Sequence, residues 1–265
     1  LRASIGSEHG VVEDVLPGVK NVIAVASGKG GVGKTTVAAN LAAGLAELGA
    51  RVGLLDADVH GPNAPSLLPT DDQPGMAPNG DILPPESNGV MVMSTAYLLP
   101  DGGDEPAALR GPMVNNVMMK FIDEVQWGYR DYLVVDLPPG TGDASLDLLQ
   151  TLPVAGTVIV TTAQEMAIRD AHKSLRLFEQ HDAPVLGVVE NLSAFRCPGC
   201  DDEHRIFGDA DAADALDAPL LARLPAHPDF DSERSGGPVV LDPDSPLRGD
   251  LVGMVEHDLD GFGDD

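Results

Sequence analysis

Residues 28–35 read Gly28-Lys29-Gly30-Gly31-Val32-Gly33-Lys34-Thr35, a complete G-x-x-x-x-G-K-S/T phosphate-binding loop. This motif constrains the fold because it works only between a strand and a helix. Its glycines let phosphates approach backbone N–H groups with no Cβ in the way. Before it, Asn21-Val22-Ile23-Ala24-Val25-Ala26 reads as a buried strand; after it, Thr36 to Ala46 reads as a helix of small residues. That helix would turn its positive N-terminal end toward the phosphates. Lys34 would then reach the β/γ-phosphates and the Thr35 hydroxyl would ligate Mg2+.

The rest of the chain alternates strand and helix. Strand patterns lie at 21–26, 51–56, 90–94, 132–136, 156–161 and 185–190, with a short one near 219–223. Helical patterns lie at 35–48, 112–126, 143–151, 165–181 and 246–257. Arg51-Val52-Gly53-Leu54-Leu55 and Tyr132-Leu133-Val134-Val135 are continuous runs of the kind buried on both faces of a parallel sheet. The expected fold is α/β: a doubly wound, mostly parallel sheet with helices on both faces and ligand at the C-terminal strand ends. The segment 69–88 is rich in Pro, Gly, Asp and Asn and predicts an irregular excursion with a hairpin at Asn79-Gly80. The chain divides into an N-terminal extension (1–20), a nucleotide-binding domain (21–241) and an acidic C-terminal helix and tail (242–265) whose end should fray.

Two acids close apolar strands. Asp56 ends Leu54-Leu55 and begins Asp56-Ala57-Asp58; Asp136 ends Leu133-Val134-Val135 and begins Asp136-Leu137-Pro138-Pro139-Gly140. A carboxylate there, beside a phosphate loop, can hold Mg2+ or orient an attacking water, or can cap a turn. Asp143 is expected to cap the following helix. His60 reads as a turn residue. Met113, Met118, Met119 and Trp127 read as packing residues.

Composition narrows the partners. There are 42 Asp and Glu against 16 Lys and Arg, a formal charge of −26. Such a surface repels nucleic acid and anionic membrane. Disorder is excluded because the apolar runs are long and periodic. Excess acid with scarce lysine matches proteins that work near molar salt, where screening acts within a few ångströms. No apolar run approaches the ~20 residues of a membrane span, and no signal-peptide pattern opens the chain, so a cytoplasmic location is expected.

The two cysteines form Cys197-Pro198-Gly199-Cys200. Two thiolates fall short of the four ligands that a cluster or structural zinc takes. A symmetric dimer would supply four. Zinc with His204 and an unassigned fourth ligand, a redox disulfide and two inert thiols are the alternatives.

Ser27 to Thr36, with Lys29 inside the loop, resembles the deviant Walker A loop of the family that includes MinD, ParA and the nitrogenase iron protein. In that family this lysine crosses a dimer interface to the partner's nucleotide, so the resemblance implies an ATP-dependent homodimer. Lys29 and Lys34 are two of only five lysines in the chain. Asp56-Ala57-Asp58-Val59-His60-Gly61-Pro62-Asn63, Asp136 to Asp143 and Glu190 to Cys200 resemble, more narrowly, the Mrp/ApbC family of iron–sulfur carrier ATPases. The likeness runs from about Val22 to about Gly237. It implies ATP and Mg2+ as cofactors and a 4Fe–4S cluster bridged between subunits by Cys197 and Cys200. It also implies a cluster donor and apo iron–sulfur clients as partners. Position by position, it implies that Gly28, Lys29, Gly30, Gly31, Val32, Gly33, Lys34, Thr35 and Thr36 bind ATP and that Asn191 helps read adenine. Thr35 and the Walker B acid Asp136 would hold Mg2+, Asp56 would position the hydrolytic water, and Lys29 and Lys34 would serve hydrolysis. Positioning ATPases of the same superfamily bind membrane or nucleoid through basic segments, whereas Val252 to Asp260 here is acidic.

Overall fold

In the computed structural model the apolar runs become the inner strands of one nine-stranded sheet. The structure describes residues 15–98, 111–197, 199–200, 202–208, 210–231 and 236–260. In chain order the elements are β1 (Val19–Ser27), α1 (Lys34–Glu47), β2 (Val52–Asp56), α2 (Ala64–Leu67), β3 (Gly75–Met76), β4 (Ile82–Leu83), β5 (Glu86–Ser87), β6 (Val90–Ser94), α3 (Gly111–Asp123), β7 (Arg130–Asp136), α4 (Asp143–Thr151), β8 (Val154–Thr161), α5 (Glu165–Gln180), β9 (Val185–Arg196), β10 (Glu203–His204), α6 (Ala212–Leu216), β11 (Leu220–Ala226) and α7 (Arg248–Asp260).

Strands β9, β8, β1, β7, β2 and β6 lie side by side in that order and all run parallel. β11 joins β9 in parallel, while β5 and β10 add antiparallel ends. After β1 the chain moves out to β2 and β6, returns to fill the gap with β7, and then crosses to β8. The crevice of such a sheet opens at the C-terminal strand ends, where the order reverses.

Each continuous apolar strand divides its side chains between two cores, because successive residues point to opposite faces. Ile23, Val25, Leu54, Val134, Val158 and Val160 face α1 and α7. Val22, Ala24, Leu55, Leu133, Val135 and Ile159 face α3, α4, α5 and α6. This is why these strands read as unbroken hydrophobic runs. α7 is part of the first core: Leu251, Met254 and Val255 are buried among α1 residues. The buried Asn40 ties α1 to the segment that leads into α7, its side-chain oxygen accepting the Val240 N–H at 2.9 Å.

β3 and β4 form the small hairpin expected at Asn79-Gly80. Met118 and Trp127 are buried as expected. The side chain of Met113, and the tail from residue 261, lie outside the described residues. Two expectations change. The strand expected at 185–190 continues to Arg196, so the cysteine pair follows the strand at once rather than after a separate loop. Asp143 is the first helical residue of α4; Gly142 is the cap, its carbonyl accepting the N–H groups of Ser145 and Leu146. Among the described residues no helix is long and apolar enough to cross a membrane.

Candidate functional site

The register of β1, β7 and β2 builds the site. Asp56 pairs with Asp136 across β2 and β7, and Asp136 pairs with Val25 on β1. Both carboxylates therefore end their strands level with the start of the phosphate loop. The Gly140 N–H donates to the Ser27 carbonyl at 2.8 Å, which locks the exit of β7 to the loop. Gly33 caps α1 in the left-handed region (φ 85°), and a Cβ there would lie 2.1 Å from the Asn191 amide nitrogen. Gly28 is required by space alone: its Cβ would lie 2.2 Å from the Asp170 backbone of α5.

A cavity of about 460 Å³ opens above the loop. Gly30, Gly31, Gly33, Lys34, Thr35 and Thr36 line it from the loop, Asp58 and Asn63 from the β2–α2 connection, and Phe230 from the segment after β11. Lys34 is 6% exposed and donates to Asp136 Oδ1 at 2.6 Å, with Asp58 Oδ2 4.0 Å away. The Thr35 hydroxyl donates to Asp136 Oδ2 at 2.6 Å. Burial pushes the Asp136 carboxyl up, and Lys34 and Thr35 oppose that shift. Asp136 is itself fully buried and meets the cavity only through Lys34 and Thr35, which line it; with the Thr35 hydroxyl its carboxylate forms a hard-oxygen pair of the kind Mg2+ prefers.

Asp56 stands differently from its expected place facing the water. It is fully buried and does not line the cavity. Its oxygens accept the N–H groups of Asp58 (3.2 Å) and Ala64 (3.1 Å) and the Ser94 hydroxyl (3.0 Å). It thus fastens the β2–α2 connection that carries Asp58 into the cavity. The only signal for Asp58 was the repeated acid in Asp-Ala-Asp, and both members fit the pattern.

Burial, reinforced by the Asp136 charge, raises the Asp56 pKa to about 7. The folded chain then keeps a proton that the unfolded chain releases. The associated stability is full below pH 3.8 and is lost as the pH rises to about 7. The melting-temperature advantage of the wild type over Asp56→Asn should therefore narrow from pH 3.8 to pH 7. An advantage that stays constant over that range would show that Asp56 is already charged at its lower end.

Lys29 donates to Gln164 Oε1 of its own chain at 2.8 Å. Gln164 caps α5 and carried no signal in the sequence. Asn191, on β9, donates to the Val32 carbonyl at 2.8 Å, while its Oδ1 is buried without a partner. Leu192, the next residue, adopts a left-handed φ of 53°, and the β9–β11 register shifts just beyond it. Five more strand residues follow Asn191, and the next residue is Cys197, at most about 20 Å away at 3.3 Å per residue. The Cys197 thiol is held below its usual range by hydrogen bonds from the Gly199 and Cys200 N–H groups and the Cys200 thiol. Both cysteines are free, Cys200 fully on the surface and Cys197 half-buried. One strand thus touches the phosphate loop and ends at the cysteines.

A family model described as the NUBPL iron-transfer P-loop NTPase, of the ParA type, matches residues 18–257. A Synechocystis iron-sulfur cluster carrier protein is 47% identical over 215 residues, 78% of this chain and 60% of that protein. The mouse iron-sulfur cluster transfer protein NUBPL is 43% identical over 232 residues, 85% of this chain and 72% of that one. The chain spans about three fifths of the length of the bacterial carriers from Synechocystis and Escherichia coli. A nucleotide-binding protein from Archaeoglobus fulgidus, solved with ADP and with Co, superposes with a TM-score of 0.69 at 34% identity, covering 90% of this chain and 88% of that one. The Pyrococcus furiosus cell division ATPase MinD shares the fold, with a TM-score of 0.65 at 23% identity and coverage of 92% and 99%. The chain belongs to the NUBPL iron-transfer P-loop NTPase family.

Proposed function

We propose that this protein binds and hydrolyses ATP as a homodimer and carries a 4Fe–4S cluster, held between its two copies, to apoproteins. The observation that carries the reading is β9: its Asn191 holds the phosphate loop and its end presents Cys197 and Cys200. The names of the relatives, iron-sulfur cluster carrier and transfer proteins, support the cargo. Two thiolates per chain support a cluster shared at a two-fold axis. The experiment is anaerobic reconstitution with iron and sulfide, read by absorbance, followed by transfer to an apo acceptor.

In this reading Gly28 to Thr36 cradle the phosphates, and Lys34 leaves Asp136 to meet the β/γ-phosphates. Thr35 and Asp136 would hold Mg2+, which supplies charge neutralisation at the phosphates. Asp58, facing the cavity, takes the water-orienting role, and Asp56 positions Asp58. The free Oδ1 of Asn191 suits the adenine amino group.

Lys29 acts in trans in this reading, which requires it to leave Gln164. Lys29→Ala should keep nucleotide binding and lose hydrolysis. Mixed with Asp58→Ala, it should regain roughly a quarter of wild-type activity, because half the dimers are mixed and each has one intact composite site. No recovery when heterodimers are shown to form would argue against a shared site.

The charge of −26 is, in the same reading, an adaptation to concentrated salt. The Debye length falls from about 30 Å at 0.01 M to about 3 Å at 1 M salt, so self-repulsion collapses over that range. The melting temperature should rise steeply between those two KCl concentrations. A flat profile would remove the salt explanation.

A further inference from the structure

The loop that carries the cysteines holds two more metal-ligating side chains. The chain leaves β9 at Arg196, passes Cys197 and Cys200, and returns as β10. The return is pinned: Glu203 pairs with Arg196 and His204 with Phe195 in antiparallel register, and the Cys197 N–H donates to the Asp202 carbonyl at 2.9 Å. Asp202 and His204 are two residues apart along this extended return, a spacing that puts both side chains on one face. Cys200 sits at the tip opposite them. As a result Cys200 Sγ, an Asp202 carboxylate oxygen and a His204 ring nitrogen all lie within 4.8 Å of one another.

Metal–ligand bonds of about 2.0–2.3 Å in a tetrahedron place neighbouring ligand atoms about 3.5 Å apart. The three groups are therefore within roughly 1 Å of coordinating distance, and all three side chains are exposed. The Cys197 thiol is hydrogen-bonded with the Cys200 thiol but lies outside that converging group of three, and joins as fourth ligand by turning toward it. Exposed carboxylates cluster on many acidic surfaces without meaning. A thiol and an imidazole converging with one carboxylate, on a hairpin whose backbone is already closed, form a different donor set. Two sulfurs, one nitrogen and one oxygen suit a borderline-soft cation that accepts tetrahedral geometry, such as Zn2+, Co2+ or Fe2+, and not Mg2+ or Ca2+.

We infer that Cys197, Cys200, Asp202 and His204 of a single chain form a mononuclear site for a thiophilic divalent cation. Zinc with His204 lacked a fourth ligand on sequence grounds; the hairpin supplies Asp202. The site is complete within one chain, whereas the bridged cluster of the proposed function needs two chains and only their thiols. Because both use Cys197 and Cys200, the two occupants exclude each other. A chain holding a single cation cannot share a cluster until that cation leaves.

The test is a Co2+ titration of metal-free, reduced protein without nucleotide, with its mass followed by light scattering. The expected result is one Co2+ per monomeric chain, with intense visible bands of tetrahedral cobalt and thiolate charge transfer in the near ultraviolet. Asp202→Ala and His204→Ala should each weaken Co2+ binding by more than about tenfold. Zn2+ should bleach the spectrum. Both positions are exposed, and unchanged circular dichroism would confirm folding of the variants. Unchanged affinity in both variants, weak octahedral bands, or Co2+ bound only as one ion per dimer would overturn the inference. Iron–sulfide reconstitution separates the two proposals. His204→Ala should still form the bridged cluster, because Cys197 and Cys200 remain. A wild type that binds Co2+ as described but never forms a cluster would contradict the carrier reading and leave this site standing.

Discussion

Lys34→Ala is expected to abolish ATP turnover and also to destabilise the nucleotide-free protein. Without ATP the Lys34 ammonium is buried, 2.6 Å from Asp136 Oδ1 and 4.0 Å from Asp58 Oδ2. It is the cation that offsets three carboxylates gathered at the ends of β2 and β7. Removing one partner of a buried pair leaves the other charge uncompensated, at a cost of up to about 3–5 kcal/mol. Asp136 can avoid part of that cost by taking up a proton, since burial already pushes its carboxyl up and Lys34 is the main opposing influence. A pKa raised in the folded state means stability that is lost as pH rises. The deficit of the variant should therefore be small in acid and grow toward neutral pH. Loss of a preorganised cation at the transferring phosphoryl group lowers kcat by about 10²–10³ or more. Thermal melts from acid to neutral pH, and steady-state hydrolysis at saturating ATP, measure the two effects separately. Wild-type turnover would show that the cavity is not the hydrolytic site. A stability deficit independent of pH would show that Asp136 does not compensate.

The second large effect is expected at the other end of β9. The Cys197→Ala/Cys200→Ala variant should fail to retain any cluster after reconstitution, losing the broad visible absorbance of iron–sulfur charge transfer completely. It should keep its melting temperature within about 0.5 kcal/mol of stability, because both side chains lie at or near the surface and bear on no core. It should also keep ATP affinity, since neither cysteine lines the cavity above the phosphate loop. The pairing of total cluster loss with unchanged nucleotide binding separates a cargo site from a structural staple. A staple would lower the melting temperature when removed.

Much of this was legible in the residues, for identifiable reasons. The phosphate loop has an obligatory context of strand, glycines and helix, so Gly28 to Thr35 place β1 and α1 together. Buried parallel strands are apolar on both faces and announce themselves as unbroken runs, as at Leu54-Leu55 and Leu133 to Val135. The length of β9 was hidden because Glu190 and Asn191 read as the end of an apolar strand. Both are buried and held by tertiary partners: Glu190 accepts the Ala212 N–H at 2.9 Å, and the Asn191 amide nitrogen donates to the Val32 carbonyl. A five-residue helix such as α6 is too short for a 3.6-residue period to show; its cap, Asp211, accepts from the Ala213 and Asp214 N–H groups. That Asp58 and not Asp56 lines the cavity depends on how the chain turns after β2, which periodicity does not encode. Gln164 meets Lys29 only because α5 packs against the loop, a contact 135 residues apart in sequence.

The central claim is that two chains jointly hold one cluster. Native mass spectrometry of the anaerobically reconstituted protein tests it most directly, because it reads chain count, iron and sulfide in the same particle. The account predicts a dimer carrying about four irons and four sulfides, with single chains carrying at most one iron and no sulfide, since one chain supplies only half of a four-thiolate ligand set. A monomer carrying a full four-iron cluster, or a dimer carrying two, would contradict it.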